Sequence, residues 1–294
     1  MIINVLALLF VSFSWGIAFV LIKYTEASIP PLTLMAERGT WGFLALLILC
    51  FVLKLDLKGH AQHWLSFLRF AILGIAFTWI MVALGQEDVS SGVASVLVSI
   101  TPLVTFIISV FIIKEESLSV TKTLGLLLGV LGLVLVIGLS NIVDGGTTLK
   151  GVLLISAGFI VFAINSVLVR KTAAKTDPIV STTYFVGMAT VVMWIIALIF
   201  ENPLHTDLTE IDIVLELILG VFCFSIAFIV YYWLVKKSGV FFSSLTFYLV
   251  PIMGAVGSYF ILGEKMDLAQ LIGIIVVLFG VYLINKEKFK STKS

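Results

Sequence analysis

The chain has 294 residues, of which 61% are hydrophobic and only 12% charged, against roughly 45–50% and 25% in an ordinary soluble domain. Its formal net charge is +1. So apolar a composition excludes a disordered chain, and the near-neutral balance excludes a nucleic-acid binder; an integral membrane protein remains.

A helix needs about 20 apolar residues to cross roughly 30 Å of hydrocarbon. Runs of that kind are predicted at ten places in chain order. The first covers 3–22, with Trp15-Gly16 inside it and Lys23 just beyond. It has no basic leader and no small-x-small cleavage site, so it is expected to stay as a helix rather than be removed as a signal peptide. The second, 32–53, carries Glu37 and Arg38, and these are read as the charges lying well inside a span. The third, 65–84, has Arg69 near its start and Trp79 further in. The fourth, 92–113, holds Pro102, and the fifth, 121–140, holds Gly125 and Gly129. The sixth, 150–169, contains Asn165; the seventh is 178–200; the eighth, 214–235, contains Tyr231 and Tyr232. The ninth, 240–262, contains Tyr248 and Pro251, and the tenth is 268–285. Helices rather than a barrel are expected, because short alternating segments are missing and a spanning helix satisfies its own backbone.

The loops orient the chain. Of the 18 Lys and Arg residues, Lys23, Lys150 and Lys265 fall on one side, Arg38 lies in a span, and the rest share the side of the N-terminus. By the positive-inside rule both termini are cytoplasmic, in a plasma or inner membrane. The connector near 201–213 is acidic, as an outer loop can be, and too short to fold alone.

The two halves of the sequence echo each other. Ser91-Gly92-Val93, Pro102, Glu115, Gly125 and Gly132 match Ser238-Gly239-Val240, Pro251, Glu264, Gly273 and Gly280 in order. The proline-to-glutamate and glycine-to-glycine spacings are equal in the two sets. The starts match loosely, Trp15-Gly16 and Lys23 with Phe162-Ala163 and Arg170. Five spans is an odd number, so the second half enters the membrane upside down. The expected fold is all-α: ten transmembrane helices as two inverted five-helix repeats, 1–144 and 145–294, forming one membrane domain. Inverted repeats are the architecture of alternating-access transporters.

On these residues, together with Pro31, Arg38 and Gly263-Glu264, the chain resembles the EamA branch of ten-helix permeases in the drug/metabolite transporter superfamily. The resemblance spans the whole chain. It implies a small-metabolite exporter, with amino acids among the common cargoes of such families. Small multidrug relatives of this architecture use a buried Glu in their first helix. The first and sixth spans here hold no carboxylate, a departure that puts proton/polyaromatic-cation exchange centred there in doubt.

Candidate working residues follow from cost. Intramembrane charge is expensive and marks function by default: Arg38 could hold a substrate carboxylate, and Glu37 an amine or a proton. As sequence neighbours they point about 100° apart, and both could instead snorkel to the outer interface. Trp15, Trp79, Asn165, Tyr231, Tyr232 and Tyr248 offer polar or aromatic lining for substrate, or plain helix packing. Pro102 and Pro251 are read as mid-helix kinks and gates, freeing carbonyls near Val98 and Phe247. Glu115 and Glu264 are expected to cap or pair with Lys114 and Lys265. Gly125 and Gly129 allow close packing of the fifth and tenth spans, or a dimer contact; a monomer would serve as well.

Cys50 and Cys223 read as small apolar residues, and His60 and His63 as solvated loop residues rather than a metal site. Motifs for a metalloprotease, a phosphate loop or a nucleophile elbow are missing, so no cofactor and no catalytic residues are expected. The favoured function is a secondary exporter of small metabolites such as amino acids. The alternatives are a drug or organic-cation exporter, a lipid-acting membrane enzyme, and a scaffold or channel. The implied partners are a small-molecule substrate and the lipid bilayer.

Overall fold

The computed structural model describes residues 2–89, 91–112, 114, 117–137, 148–173, 175–203, 208–262 and 268–291, and among these there is no β-strand. The helices are α1 Ile2–Thr25, α2 Pro31–Val52, α3 Trp64–Gln86, α4 Ser91–Leu97, α5 Ile100–Phe111 and α6 Val120–Ile137. There follow α7 Leu149–Ala173, α8 Pro178–Phe200, α9 Glu210–Ser238, α10 Val240–Ser244, α11 Thr246–Leu262 and α12 Leu268–Ser291. A 3-10 turn, Lys58–His63, precedes α3. Among the described residues, 7 stretches are long and apolar enough to cross a membrane: α1, α2, α3, Val93–Phe111, Leu149–Arg170, α8 and α9. Val120–Gly132, Val240–Val256 and Leu271–Ile284 are shorter apolar helices.

Polarity is inverted relative to a soluble bundle. Phe51, Val120, Leu149, Phe200 and Ile275 stand outward and exposed, whereas Ser12, Thr25, Thr101, Thr105, Thr190 and Ser243 are buried. Lipid makes the outer face apolar, and buried hydroxyls bond back to their own helix. Ser12 Oγ donates to Leu8 O at 2.7 Å, and Thr190 Oγ1 to Val186 O at 2.8 Å.

Helix starts carry the polar chemistry expected at a water boundary. α8 begins with Asp177, whose carboxylate accepts from Ile179 N, followed by Pro178 in the first turn; α9 begins with a Thr209/Asp212 capping box. Both arrangements satisfy first-turn N–H groups that have no partner inside the helix. α2 borrows its cap: the backbone N–H groups of Leu32 and Thr33 donate to Glu201 at 2.9 and 2.7 Å. That bond ties the end of α8 to the start of α2.

Two helices depart from the straight spans predicted from hydropathy. α3 winds as a π-helix over Phe70–Ala76, and α9 does so over Ile218–Ile226. Such widened turns are rare and cluster at functional sites.

The span expected over 92–113 is present as Val93–Phe111, and its irregularity lies ahead of Pro102, at the Val98 carbonyl. The chain breaks between α4 and α5, with Thr101 N donating three residues back to Val98 O at 3.0 Å. Proline cannot bond to the carbonyl four residues before it and clashes with it. The chain therefore tightens at Val98, and Pro102 falls in the first turn of α5. Pro251 does lie inside α11, but the chain also breaks before it, at Leu245, which accepts from Tyr248 N at 3.0 Å.

Helix pairs that cross the two halves dominate the packing: α6 with α12, α2 with α8, α1 with α11, α3 with α7 and α5 with α7. The glycines at equal spacing meet backbone to backbone. A Cβ on Gly125 would stand 2.6 Å from Gly280 O, and one on Gly132 2.8 Å from Gly273 O. Glu115, Gly263, Glu264 and Lys265 lie outside the described residues.

Candidate functional site

The largest fully buried side chain is Arg38, at 1% exposure. It lies about two turns into α2 and is buried between α2, α3 and α9. Its guanidinium carbon stands 4.2 Å from the centroid of Trp79 on α3 and 4.8 Å from that of Phe224 in the π-segment of α9. Nε and Nη2 are buried and bond to no acceptor among the described residues. Cation–π contacts offset part of the cost of burying this charge, but they leave its hydrogen-bonding fork unused. Close backbone approach sets the position: a Cβ on Gly42 would stand 2.7 Å from Gly220 O, and one on Gly220 would meet the carbonyl of Arg38.

An aromatic lattice extends from this cage. Trp15 of α1 packs on Phe247, Tyr231 and Phe228 at centroid distances of 5.1, 5.2 and 5.3 Å. Phe228 contacts Phe224 at 5.2 Å, and Phe159 bridges Trp79 at 6.4 Å to Phe247 at 5.7 Å. Trp15 Nε1, Trp79 Nε1, Tyr231 OH and Tyr232 OH in the lattice, and Asn165 Oδ1 on α7, are buried without partners among the described residues. Tyr231 OH lies beside Ser166 without closing a good hydrogen bond to it. Buried polar groups are bonded in the great majority of cases, so a set of orphans in one region points to a bound molecule or water.

The sequence candidates therefore divide. Arg38 and Trp79 come together, as do Trp15 and Tyr231, on one continuous lattice. Asn165 spends its Nδ2 on Val161 O of its own helix at 2.9 Å and leaves Oδ1 free. Tyr248 stands apart in the second core cluster, donating to Leu126 O at 3.2 Å against Gly129. Glu37 interacts with Glu216 of α9, which accepts from Trp41 Nε1 at 3.1 Å. Pro102 and Pro251 stand beside helix breaks, outside the cage.

Sequence reading missed Glu216, because the charge-free run of that span begins just after it. The cage residue Phe224 and the bridging Phe159 were lost among 23 phenylalanines. At the end of α1, Lys23 Nζ donates to Gln86 O and stands 3.8 Å from Glu26. Burial pushes the Glu26 carboxyl from its ordinary 4.5 up to about 7, against the pull of Lys23 and with Glu87 adding to the rise.

The profile of the EamA-like transporter family matches the chain twice, over residues 2–138 and 149–286. The chain belongs to the EamA-like transporter family. It is 29% identical over 283 residues to the WAT1-related protein At3g02690, chloroplastic, of Arabidopsis thaliana, covering 93% of this chain and 67% of that protein. It is 29% identical over 294 residues to the uncharacterized transporter YvbV of Bacillus subtilis (strain 168), covering 98% and 93%. YoaV, another uncharacterized transporter of that organism, is 24% identical over 279 residues, with 95% of each chain covered. One crystal structure of a protein shares the fold with a TM-score of 0.78 at 19% identity, covering 96% of each chain. This EamA-family protein is a multi-pass membrane protein of a transporter family.

Proposed function

We propose that the protein is a secondary transporter, not an enzyme, that exports small amino-acid-like metabolites by alternating access. One observation carries this reading: Arg38 is a buried cation whose Nε and Nη2 have no acceptor among the described residues. A guanidinium fork matches a carboxylate with two parallel hydrogen bonds. The adjoining rings suit the apolar part of a small solute. A drug-like organic cation would meet a like charge in this cage, so a carboxylate-bearing cargo is favoured.

The same reading counts ten spans, taking α4 with α5 and α10 with α11, in two inverted repeats covering 1–144 and 145–294. Both termini are cytoplasmic, in the plasma or inner membrane. Three observations support it. The family profile matches once in each half. A π-segment occurs in the third span of each half so counted. The cross-half pairs form related sets: α2 with α8 and α6 with α12 each join equivalent spans, and α1–α11 mirrors α7–α5.

Labelled metabolites offered to proteoliposomes test the function. One or a few amino-acid-like compounds should move faster than in empty vesicles, and overproducing cells should tolerate an excess of the same compounds. If nothing moves faster, with and without a pH gradient, the reading is wrong.

A further inference from the structure

Glu37 on α2 and Glu216 on α9 each stand six residues into their helices, about 9 Å along the axis from the helix start. The bond from α2 to Glu201 places the start of α2 near the end of α8. Trp41, one turn after Glu37 on the same face of α2, donates to Glu216 at 3.1 Å, which brings the Glu216 carboxyl to the Glu37 side of α2, where the two carboxyl groups interact. Glu216 is only 2% exposed. One of its oxygens, Oε2, accepts from Trp41; the other, Oε1, is buried with no donor, and so is Glu37 Oε2. Two buried carboxylate oxygens on neighbouring groups, with no donor among the described residues, are left unsatisfied if both groups are ionised. One added proton satisfies both atoms at once and removes a like-charge contact from a water-poor place.

Among the described residues, the surrounding charges do not supply that donor. Asp212, one turn earlier on α9, is held by the Thr209 cap and is itself acidic. Glu201 at the end of α8 is bonded to the start of α2. Lys23 at the end of α1 is turned to Gln86 and Glu26. Glu87, just beyond α3, acts on Glu26. Arg38 points into its aromatic cage.

We propose that Glu37 and Glu216 form a proton-binding site, holding one proton between Glu37 Oε2 and Glu216 Oε1, separate from the Arg38 cage but mechanically joined to it. The joint is the tight crossing of α2 and α9, where Gly42 and Gly220 meet beside Arg38. Glu216 stands two residues before the π-segment that carries Phe224. Loss of the proton leaves two carboxylates in contact and pushes α2 from α9, which opens the floor of the cage. The link to cargo rests on the transporter reading; the proton site itself does not.

Infrared difference spectra of the reconstituted protein in H2O and D2O separate the two. At neutral pH the wild type should show a protonated carboxyl C=O band that shifts in D2O. Glu37→Gln and Glu216→Gln should each abolish it, because the amide N–H supplies the missing donor and the remaining carboxyl ionises. A band that survives either substitution, or a wild type with no band that they remove, overturns the site. A measurement without mutations backs this: an apolar carbodiimide, which attacks protonated buried carboxyls, should label Glu37 or Glu216 in the wild type by mass spectrometry. Labelling at neither overturns the site as well. In transport assays both variants should lose the response to an imposed pH gradient; a response equal to wild type overturns the coupling. If no solute moves at all, the transporter reading fails while the infrared result stands independently.

Discussion

Replacing Arg38 by methionine should separate stability from function. On the cost side, an Arg in the middle of a span is worth about 2.5–3.5 kcal/mol against the protein on insertion scales. On the gain side, the rings of Trp79 and Phe224 at 4.2 and 4.8 Å give two desolvated cation–π contacts, worth about 2 kcal/mol each. Methionine fills much of the same volume, so the two sides nearly cancel. The expected change in stability is within about 1 kcal/mol, or a few degrees in melting temperature. Binding behaves differently. Two charge-assisted hydrogen bonds from Nε and Nη2 to a carboxylate are worth about 1.5–3 kcal/mol each. Their loss lowers affinity by roughly two to four orders of magnitude. Arg38→Lys keeps the charge without the fork and should recover only part. The assay is uptake into proteoliposomes beside a thermal melt of the same preparation. Normal flux in Arg38→Met refutes the anchor, and so does a melting temperature that collapses together with flux.

Three shorter predictions follow from the packing and from Glu26. Gly42→Leu drives a side chain into Ser225 and the Gly220 carbonyl, so it should cost about 1–3 kcal/mol, read as a lower melting temperature with depressed flux. Gly280→Leu should separate α12 from α6, where a Cβ already meets Gly125 O at 2.6 Å, and should lower the melting temperature by a comparable amount. The Glu26 carboxyl titrates at about 7 when folded against an ordinary 4.5. Between those values the folded chain binds more protons than the unfolded one, so its stability falls as pH rises and stays reduced above about 7. Melting temperatures across that window should fall for the wild type and flatten in Glu26→Gln; an equal slope in both contradicts the assignment.

Much of this fold is legible because the bilayer imposes it. Lipid demands long apolar helices and expels charge, so element positions could be read from where Asp, Glu, Lys and Arg are missing. Arg38 stood out for the same reason. The π-segments escaped because an extra residue in a turn leaves hydropathy unchanged. The kink ahead of Pro102 was legible at Val98, because the ring acts on the carbonyl four residues earlier; that Thr101 N takes up that carbonyl was not. Glu216 was overlooked beside a charge-free run, and its pairing with Glu37 spans 179 positions of sequence, a separation that no local pattern reports. Tyr248 and Tyr231 looked alike as mid-span tyrosines. Only packing shows that Tyr248 props α11 against α6, whereas Tyr231 lies on Trp15.

The central claim is that Arg38 recognises a carboxylate on a small transported solute. The most direct measurement compares flux, in proteoliposomes, of each transported acid with its primary amide, which has nearly the same size and no negative charge. The acid should move far faster, and that preference should vanish in Arg38→Met. Equal flux of acid and amide through the wild-type protein would contradict the claim.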